Sequence, residues 1–159
     1  MKQIFRFLAV LLCLGLLASC AAQQKATGAY SFGGENGSIA ISDGIIAIGR
    51  EWEVFHGGIL TFQGEEFSDV KESVITFYFY KGGVEQTILC HAVSVDGVPE
   101  GERISSDMGS VQAQTLYNNA DWGLLKNTLH FSLTGTRMNG ECFEYYLPLN
   151  MGEADSSAS

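Results

Sequence analysis

Between residues 29 and 149 the chain consists of short runs in which apolar and polar residues alternate, separated by turns that contain glycine. An alternation with a period of two is typical of a strand that buries one face. No long segment repeats its apolar residues with the period of a helix. The pattern therefore predicts an all-β domain, either an antiparallel β-sandwich or a partly open β-barrel of about ten short strands.

The clearest hairpin prediction is centred on Asp43-Gly44. This dipeptide favours a two-residue type I′ turn, in which both central residues need a positive φ. A turn at this point would pair residues 38–42 with residues 45–48. It would also place four isoleucines on one face, namely Ile39, Ile41, Ile46 and Ile48. Turn chemistry and apolar pattern thus agree on one register.

A second hairpin is predicted around His56-Gly57-Gly58. A three-residue loop across these residues sets Trp52 opposite Phe62 and keeps the apolar face whole, whereas a two-residue loop would mix the two faces. Trp52 is therefore expected in the core.

Two further hairpins follow the same logic. In the first, a three-residue loop at residues 138–140 sets Leu133 opposite Tyr145. In the second, the strand over residues 74–80 turns at the glycine pair 82–83 into a strand over residues 85–95. That strand is apolar or aromatic on both faces. Such a pattern is typical of a central strand covered on both sides, or of one whose second face is an aromatic binding surface.

The first twenty residues have the anatomy of an export signal. Lys2 and Arg6 precede an apolar stretch over residues 7–17, which is too short for a membrane-spanning helix. The small residues Ala18 and Ser19 then provide a cleavage site. The ending Leu17-Ala18-Ser19-Cys20 resembles the lipobox in the signal peptides of bacterial lipoproteins.

The resemblance implies cleavage before Cys20 and attachment of a diacylglycerol to its sulfur. In many bacteria a further acyl chain, such as palmitate, is added to the amine. Two or more acyl chains anchor a protein stably, so we expect the membrane to be a partner through this lipid. Ala21 is not the Asp that marks inner-membrane retention. In a Gram-negative source the resemblance therefore implies the outer membrane, with the protein facing the periplasm.

The domain organisation follows from these two signals. We expect a cleaved signal peptide at residues 1–19 and a lipidated Cys with a short polar tether at residues 20–28. A single β domain should occupy residues 29–150, followed by a disordered tail of small and polar residues at 151–159.

Cleavage makes the chain strongly acidic. It removes two basic residues and no acidic one, so seven basic residues face eighteen acidic ones, a net charge of −11. Such a surface disfavours nucleic acid and anionic lipid, and it favours cations or a basic protein partner.

The sequence contains no catalytic signature. It has neither a nucleophile elbow nor a phosphate-binding loop, and the three histidines, at positions 56, 91 and 130, lack a second ligand at metal-binding spacing. The acidic loop at residues 96–102 could hold Ca²⁺ but is interpreted as a solvated turn. We therefore expect no enzyme, no catalytic residue, no metal and no cofactor.

Two cysteines remain in the mature domain besides Cys20. Cys90 and Cys142 could form a disulfide, since an exported compartment permits one. The alternative, in which both thiols are free, stays open.

A candidate binding surface is predicted around Trp122, with Asp121, Tyr117 and Tyr146 beside it. Exposed aromatics in loops often bind partners or sugars, although a loop aromatic can instead plug the end of a sandwich. The leading hypothesis is a non-catalytic protein that docks or scaffolds a basic envelope protein through a flat aromatic and acidic patch. The alternative is a glycan- or small-ligand-binding module, which requires an enclosed cavity or an open tryptophan groove.

The lipobox generates the first testable prediction. Cys20→Ala should remove the acylation site, so cell fractionation should move the protein from the membrane to the soluble fraction. Processing at the same site with unchanged membrane attachment would contradict it.

Overall fold

A computed structural model describes residues 27–63, 69–97, 103–104, 108–117 and 119–154. Within these ranges the chain forms eleven strands and one helix, arranged as two antiparallel sheets. The predicted all-β fold is confirmed, and of its two forms the protein adopts the sandwich. Nothing is described for the signal peptide, for Cys20 or for residues 155–159, so those predictions lie outside the described residues.

The larger layer, here the large sheet, contains the following strands: β1 (Gly28–Glu35), β2 (Ile39–Ile48), β3 (Glu53–His56), β4 (Ile59–Phe62), the two-residue β7 (Arg103–Ile104), β8 (Ser110–Ala113) and β11 (Asn150–Glu153). The other layer, here the small sheet, has the order β10-β9-β5-β6: β5 (Val70–Lys81), β6 (Val84–Val93), β9 (Leu129–Arg137) and β10 (Cys142–Pro148). Helix α1 (Asn119–Thr128) precedes β9.

Four phenylalanines join the two sheets. Phe32 and Phe55 of the large sheet stack at 5.2 Å between ring centroids, and Phe77 of the small sheet meets Phe55 edge-on at 5.0 Å. Phe131 continues the cluster at 5.0 Å from Phe77. All four side chains are at least 97% buried, so this phenylalanine stack forms the centre of the core.

The predicted hairpin at Asp43-Gly44 is wrong. Residues 39–48 form one continuous strand, β2, and Asp43 takes a positive φ of 56° within it. The four isoleucines still share the buried face, because the irregularity shifts the inward-facing positions by one residue. A long strand that pairs on both sides satisfies more backbone groups than a short hairpin, which explains why it forms.

The predicted hairpin at residues 56–58 is also wrong. β3 and β4 run in the same direction along β2, and Gly57-Gly58 lies between them at the level of Asp43-Gly44. Trp52 is consequently not in the core. It lies in the β2–β3 turn, which the hydrogen bond from Gly49 N–H to the Trp52 carbonyl closes at 2.8 Å, and it is 46% exposed.

A transverse line of glycines, here the glycine row, thus crosses three adjacent segments of the large sheet. Its members are Gly33 and Gly34 in β1, Gly44 in β2, and Gly57 and Gly58 between β3 and β4. The register of β1 against β2 shifts at the same place. The ring of Phe32 occupies the space that a Cβ on Gly44 would need, so the row makes room for the phenylalanine stack.

The other two hairpins are confirmed. Leu133 pairs with Tyr145 across the loop at residues 138–140, and Lys81 pairs with Val84 across the glycine pair at 82–83. The pairing of β5 with β6 is not regular throughout, because β6 contains a bulge between the partners of Phe77 and Tyr78. Beyond this bulge, Cys90 lies opposite Thr76.

The predicted boundaries of the domain need small corrections. β1 begins at Gly28, and residues 150–153 form β11, which pairs with β1 at the sheet edge. The folded domain therefore includes residues 151–153, which had been predicted as tail, because pairing with β1 satisfies their backbone groups. Within the described residues, no helix has the length and apolarity needed to cross a bilayer.

The glycine row generates a stability prediction. Gly58 has a φ of +83°, and a Cβ there would overlap the carbonyl oxygen of Ser42. Gly37 has the same φ of +83° with nothing within 4 Å of a Cβ. In urea unfolding, Gly37→Ala should cost about 1 kcal/mol of unfolding free energy for the left-handed backbone alone, whereas Gly58→Ala should cost about 3 kcal/mol or more. Equal costs for the two variants would contradict the close approach.

Candidate functional site

Trp122 is not the exposed platform that the sequence predicted. Residues 119–128 form α1 instead of a loop, and Trp122 packs on the ring of Tyr30 at 4.6 Å between centroids. The ammonium group of Lys126 lies 4.6 Å from the centre of the same tyrosine ring. Trp122 faces inward because α1 uses one side to cover the end of the sandwich, so the alternative of a plug is correct.

Tyr117 and Asp121 also have structural positions. Tyr117 is 5% exposed, and the buried carboxylate of Glu53 accepts hydrogen bonds from the backbone N–H groups of Leu116 and Tyr117. Burial, together with the nearby Glu53 carboxylate, raises the pKa of Tyr117. Asp121 forms an ion pair of 2.8 Å with Lys81. These contacts attach the segment before α1 to the large sheet and α1 itself to the small sheet, and they expose little surface for binding.

Tyr146 is the one member of the predicted surface that is exposed, and it lies apart from the other three. It is 44% exposed on β10, between Tyr145 and Leu147, which face the core. Because successive strand residues point to opposite faces, Tyr146 projects from the outward face of the small sheet.

Tyr146 belongs to a line of rings on this face, here the aromatic row, which consists of Tyr146, His130, Tyr78 and Tyr80. Tyr146 stacks on His130 at 5.2 Å, His130 lies 5.5 Å from Tyr78, and Tyr78 meets Tyr80 edge-on at 5.7 Å. The Tyr146 hydroxyl is 2.6 Å from Nδ1 of His130. The row therefore crosses three strands as one connected surface.

Three members of the aromatic row, His130, Tyr78 and Tyr146, have pKa values shifted by burial in the direction that keeps them uncharged at neutral pH. Burial lowers the pKa of His130 from its usual value of 6.5. Burial raises the pKa of Tyr78, and the neighbouring Tyr80 and Tyr146 raise it further. The neutral form of His130 therefore adds stability that is fully present above its unfolded pKa near 6.5 and is lost as the pH falls through that value toward the lower folded pKa.

A groove of about 850 Å³ opens beyond the aromatic row, where β5 begins and β6 ends. We call it the acidic groove, because its described lining contains three carboxylates, Glu72, Asp96 and Glu144, against one cation, Lys71. Thr134 and Thr136 add hydroxyl groups to its floor. Glu144 precedes Tyr146 by two residues on β10, so the groove and the aromatic row share one face.

Cys90 and Cys142 are both exposed and free, so the structure does not contain the disulfide. Cys90 lies on β6 and Cys142 on β10, which are opposite edges of the small sheet. Three strand spacings separate these edges, about 14 Å, whereas a disulfide requires Cα atoms within about 7 Å.

Sequence reasoning missed Tyr78, Tyr80 and His130 as site residues. The signal for the two tyrosines was present, since the strand over residues 74–80 carries Phe77 and Phe79 on one face and tyrosines on the other. The same pattern also fits a strand that is buried on both faces. His130 could not be added from the sequence, because its position beside Tyr78 depends on the pairing of β5 with β9.

The described residues contain no group of three or more His, Cys, Asp or Glu side chains arranged to hold a metal ion. His56 instead has its Nδ1 atom 3.2 Å from the Gly109 carbonyl oxygen, across the pairing of β3 with β8.

Comparisons with protein-family models, with curated proteins and with solved structures find no match to this chain.

Proposed function

We propose that this protein is a lipid-anchored protein of the bacterial envelope that docks a basic envelope protein on the outward face of its small sheet, without catalysis. The observation that carries the proposal is the adjacency of the aromatic row and the acidic groove on one solvent-facing sheet surface.

The aromatic row supplies the apolar contact that such docking needs. Tyr146 is 44% exposed and Tyr80 is 37% exposed, while Tyr78 beneath them is 6% exposed and holds the row in place. Tyrosines of this kind are enriched among the few residues that provide most of the energy of a protein interface. The rings already support one another, so little side-chain entropy is lost when a partner covers them.

The acidic groove supplies selectivity for charge. Its three carboxylates belong to a mature chain with a net charge of −11, and such a charge attracts basic proteins and repels acidic ones. The lipobox supports placement on a membrane, which is the outer membrane facing the periplasm in a Gram-negative source. A partner would then be recruited to that membrane.

A glycan is the second candidate ligand, because tyrosine rings and threonine hydroxyls on one face could contact a sugar. The space between the sheets, where a small ligand could be enclosed, is filled by the phenylalanine stack. A glycan would therefore have to use the same outward face.

A retention experiment with purified lipoprotein and envelope extract tests the docking directly. Tyr146→Ala should weaken retention of the partner about 30-fold, since truncating a central interface aromatic costs about 2 kcal/mol. Glu144→Gln should weaken binding mainly at low salt, where the attraction between the acidic groove and a basic partner is least screened. The retained protein should have a basic isoelectric point.

Two exposed residues elsewhere on the domain provide matched controls. Trp52→Ala removes an aromatic of similar exposure, 46%, from the large sheet, and Glu153→Gln removes a carboxylate from β11. Both variants should bind like the wild type. Retention of acidic proteins, or equal losses in all four variants, contradicts the proposal, and salt-insensitive binding of a polysaccharide would favour the glycan instead.

A further inference from the structure

We propose that the end of the sandwich that receives the tether contacts the lipid surface, with Trp52 inserted at the level of the phospholipid headgroups. This inference rests on the acylation of Cys20 in the proposed function.

The sheet register fixes which end of the domain faces the anchor. Gly28, the first residue of β1, pairs with Ile48, the last residue of β2. Residues 20–27 join Cys20 to this point and span at most about 29 Å when fully extended. We call this end of the sandwich the anchored end.

Trp52 lies at the anchored end. It follows Ile48 in the β2–β3 turn and is 46% exposed, with its ring covering Gly49. Arg50, in the same turn, is exposed. Tryptophan prefers the boundary between water and lipid, where its ring is partly apolar and its N–H remains hydrated, and an arginine beside it can reach the headgroup phosphates.

Other exposed apolar side chains lie at the same end. Val84, which is 62% exposed, adjoins the turn after β5. The ion pair between Lys81 and Asp121 attaches that turn to α1. The contact of Trp122 with Tyr30 attaches α1 to the start of β1. Leu124, on the exposed side of α1, is 38% exposed.

The opposite end of the sandwich is too far from the anchor to contact the lipid surface instead. β5 has 12 residues, and a strand of that length spans about 35 Å, more than the tether can reach. Met138 lies at that far end and is 66% exposed, so exposure alone does not distinguish the two ends. The acidic groove is also at the far end, where Val70 pairs with Arg137. The proposed orientation therefore leaves the acidic groove open to the aqueous side, whereas Tyr80, which precedes Lys81 on β5, lies nearer the anchored end.

Fluorescence quenching in vesicles tests the inference. Full-length lipoprotein is reconstituted into phosphatidylcholine vesicles that contain lipids brominated near the headgroup, and acylation is verified by mass. The Trp52 signal is the difference between wild type and Trp52→Phe, which retains Trp122. We expect this signal to shift to shorter wavelength and to be quenched, with loss of both effects in the unacylated Cys20→Ala protein.

The matched control moves the tryptophan to the far end. Met138→Trp in the Trp52→Phe background should give emission that brominated lipid does not quench. Quenching of the tryptophan introduced at position 138 but not of Trp52, or of neither in acylated protein, overturns the inference. Both results leave the docking proposal standing, because partner binding to the Tyr146 surface is measured separately. Wild-type protein that carries no acyl chain and fractionates as soluble would overturn the lipid anchor itself.

Discussion

The contact between Phe55 and Phe77 is the interaction on which the architecture depends. It joins the two sheets at their centre, with Phe32 stacked on one side and Phe131 on the other. Two glycines of the row leave space for these rings, since a Cβ on Gly44 would overlap Phe32 and a Cβ on Gly57 would crowd Phe77. The glycines are therefore part of the packing, and they lie where the register of β1 against β2 shifts, where β2 is irregular and where β3 gives way to β4.

The same packing gives the domain two different ends and two different faces. Since Phe77 faces inward, its neighbour Tyr78 must face outward, and the pairing of β5 with β9 then sets His130 beside it. The aromatic row is thus the outer counterpart of the phenylalanine stack. The pairing of β1 with β2 places Gly28, the first residue of β1, at the end away from the acidic groove.

The sequence was sufficient where a turn signal and the apolar pattern were local and agreed. The loop at residues 138–140 is the best example, since its register was predicted to the residue. The sequence-based prediction failed at Asp43-Gly44, where the same signals produce an irregularity in a continuous strand. There, β2 pairs on both sides and Gly57-Gly58 lies alongside, which are non-local contacts that a local signal does not show. Trp122 was mistaken for an exposed residue for a similar reason, because its partner Tyr30 is far away in the chain.

The claim that the outward face of the small sheet meets a protein partner is tested most directly by site-specific photocrosslinking in living cells. A photoreactive residue is placed at Tyr146 or Thr134 on that face, or at Ile45 or Gln112 on the outward face of the large sheet. The account predicts crosslinks to a basic envelope protein from the first two positions and none from the other two. Crosslinks confined to Ile45 and Gln112 would contradict it.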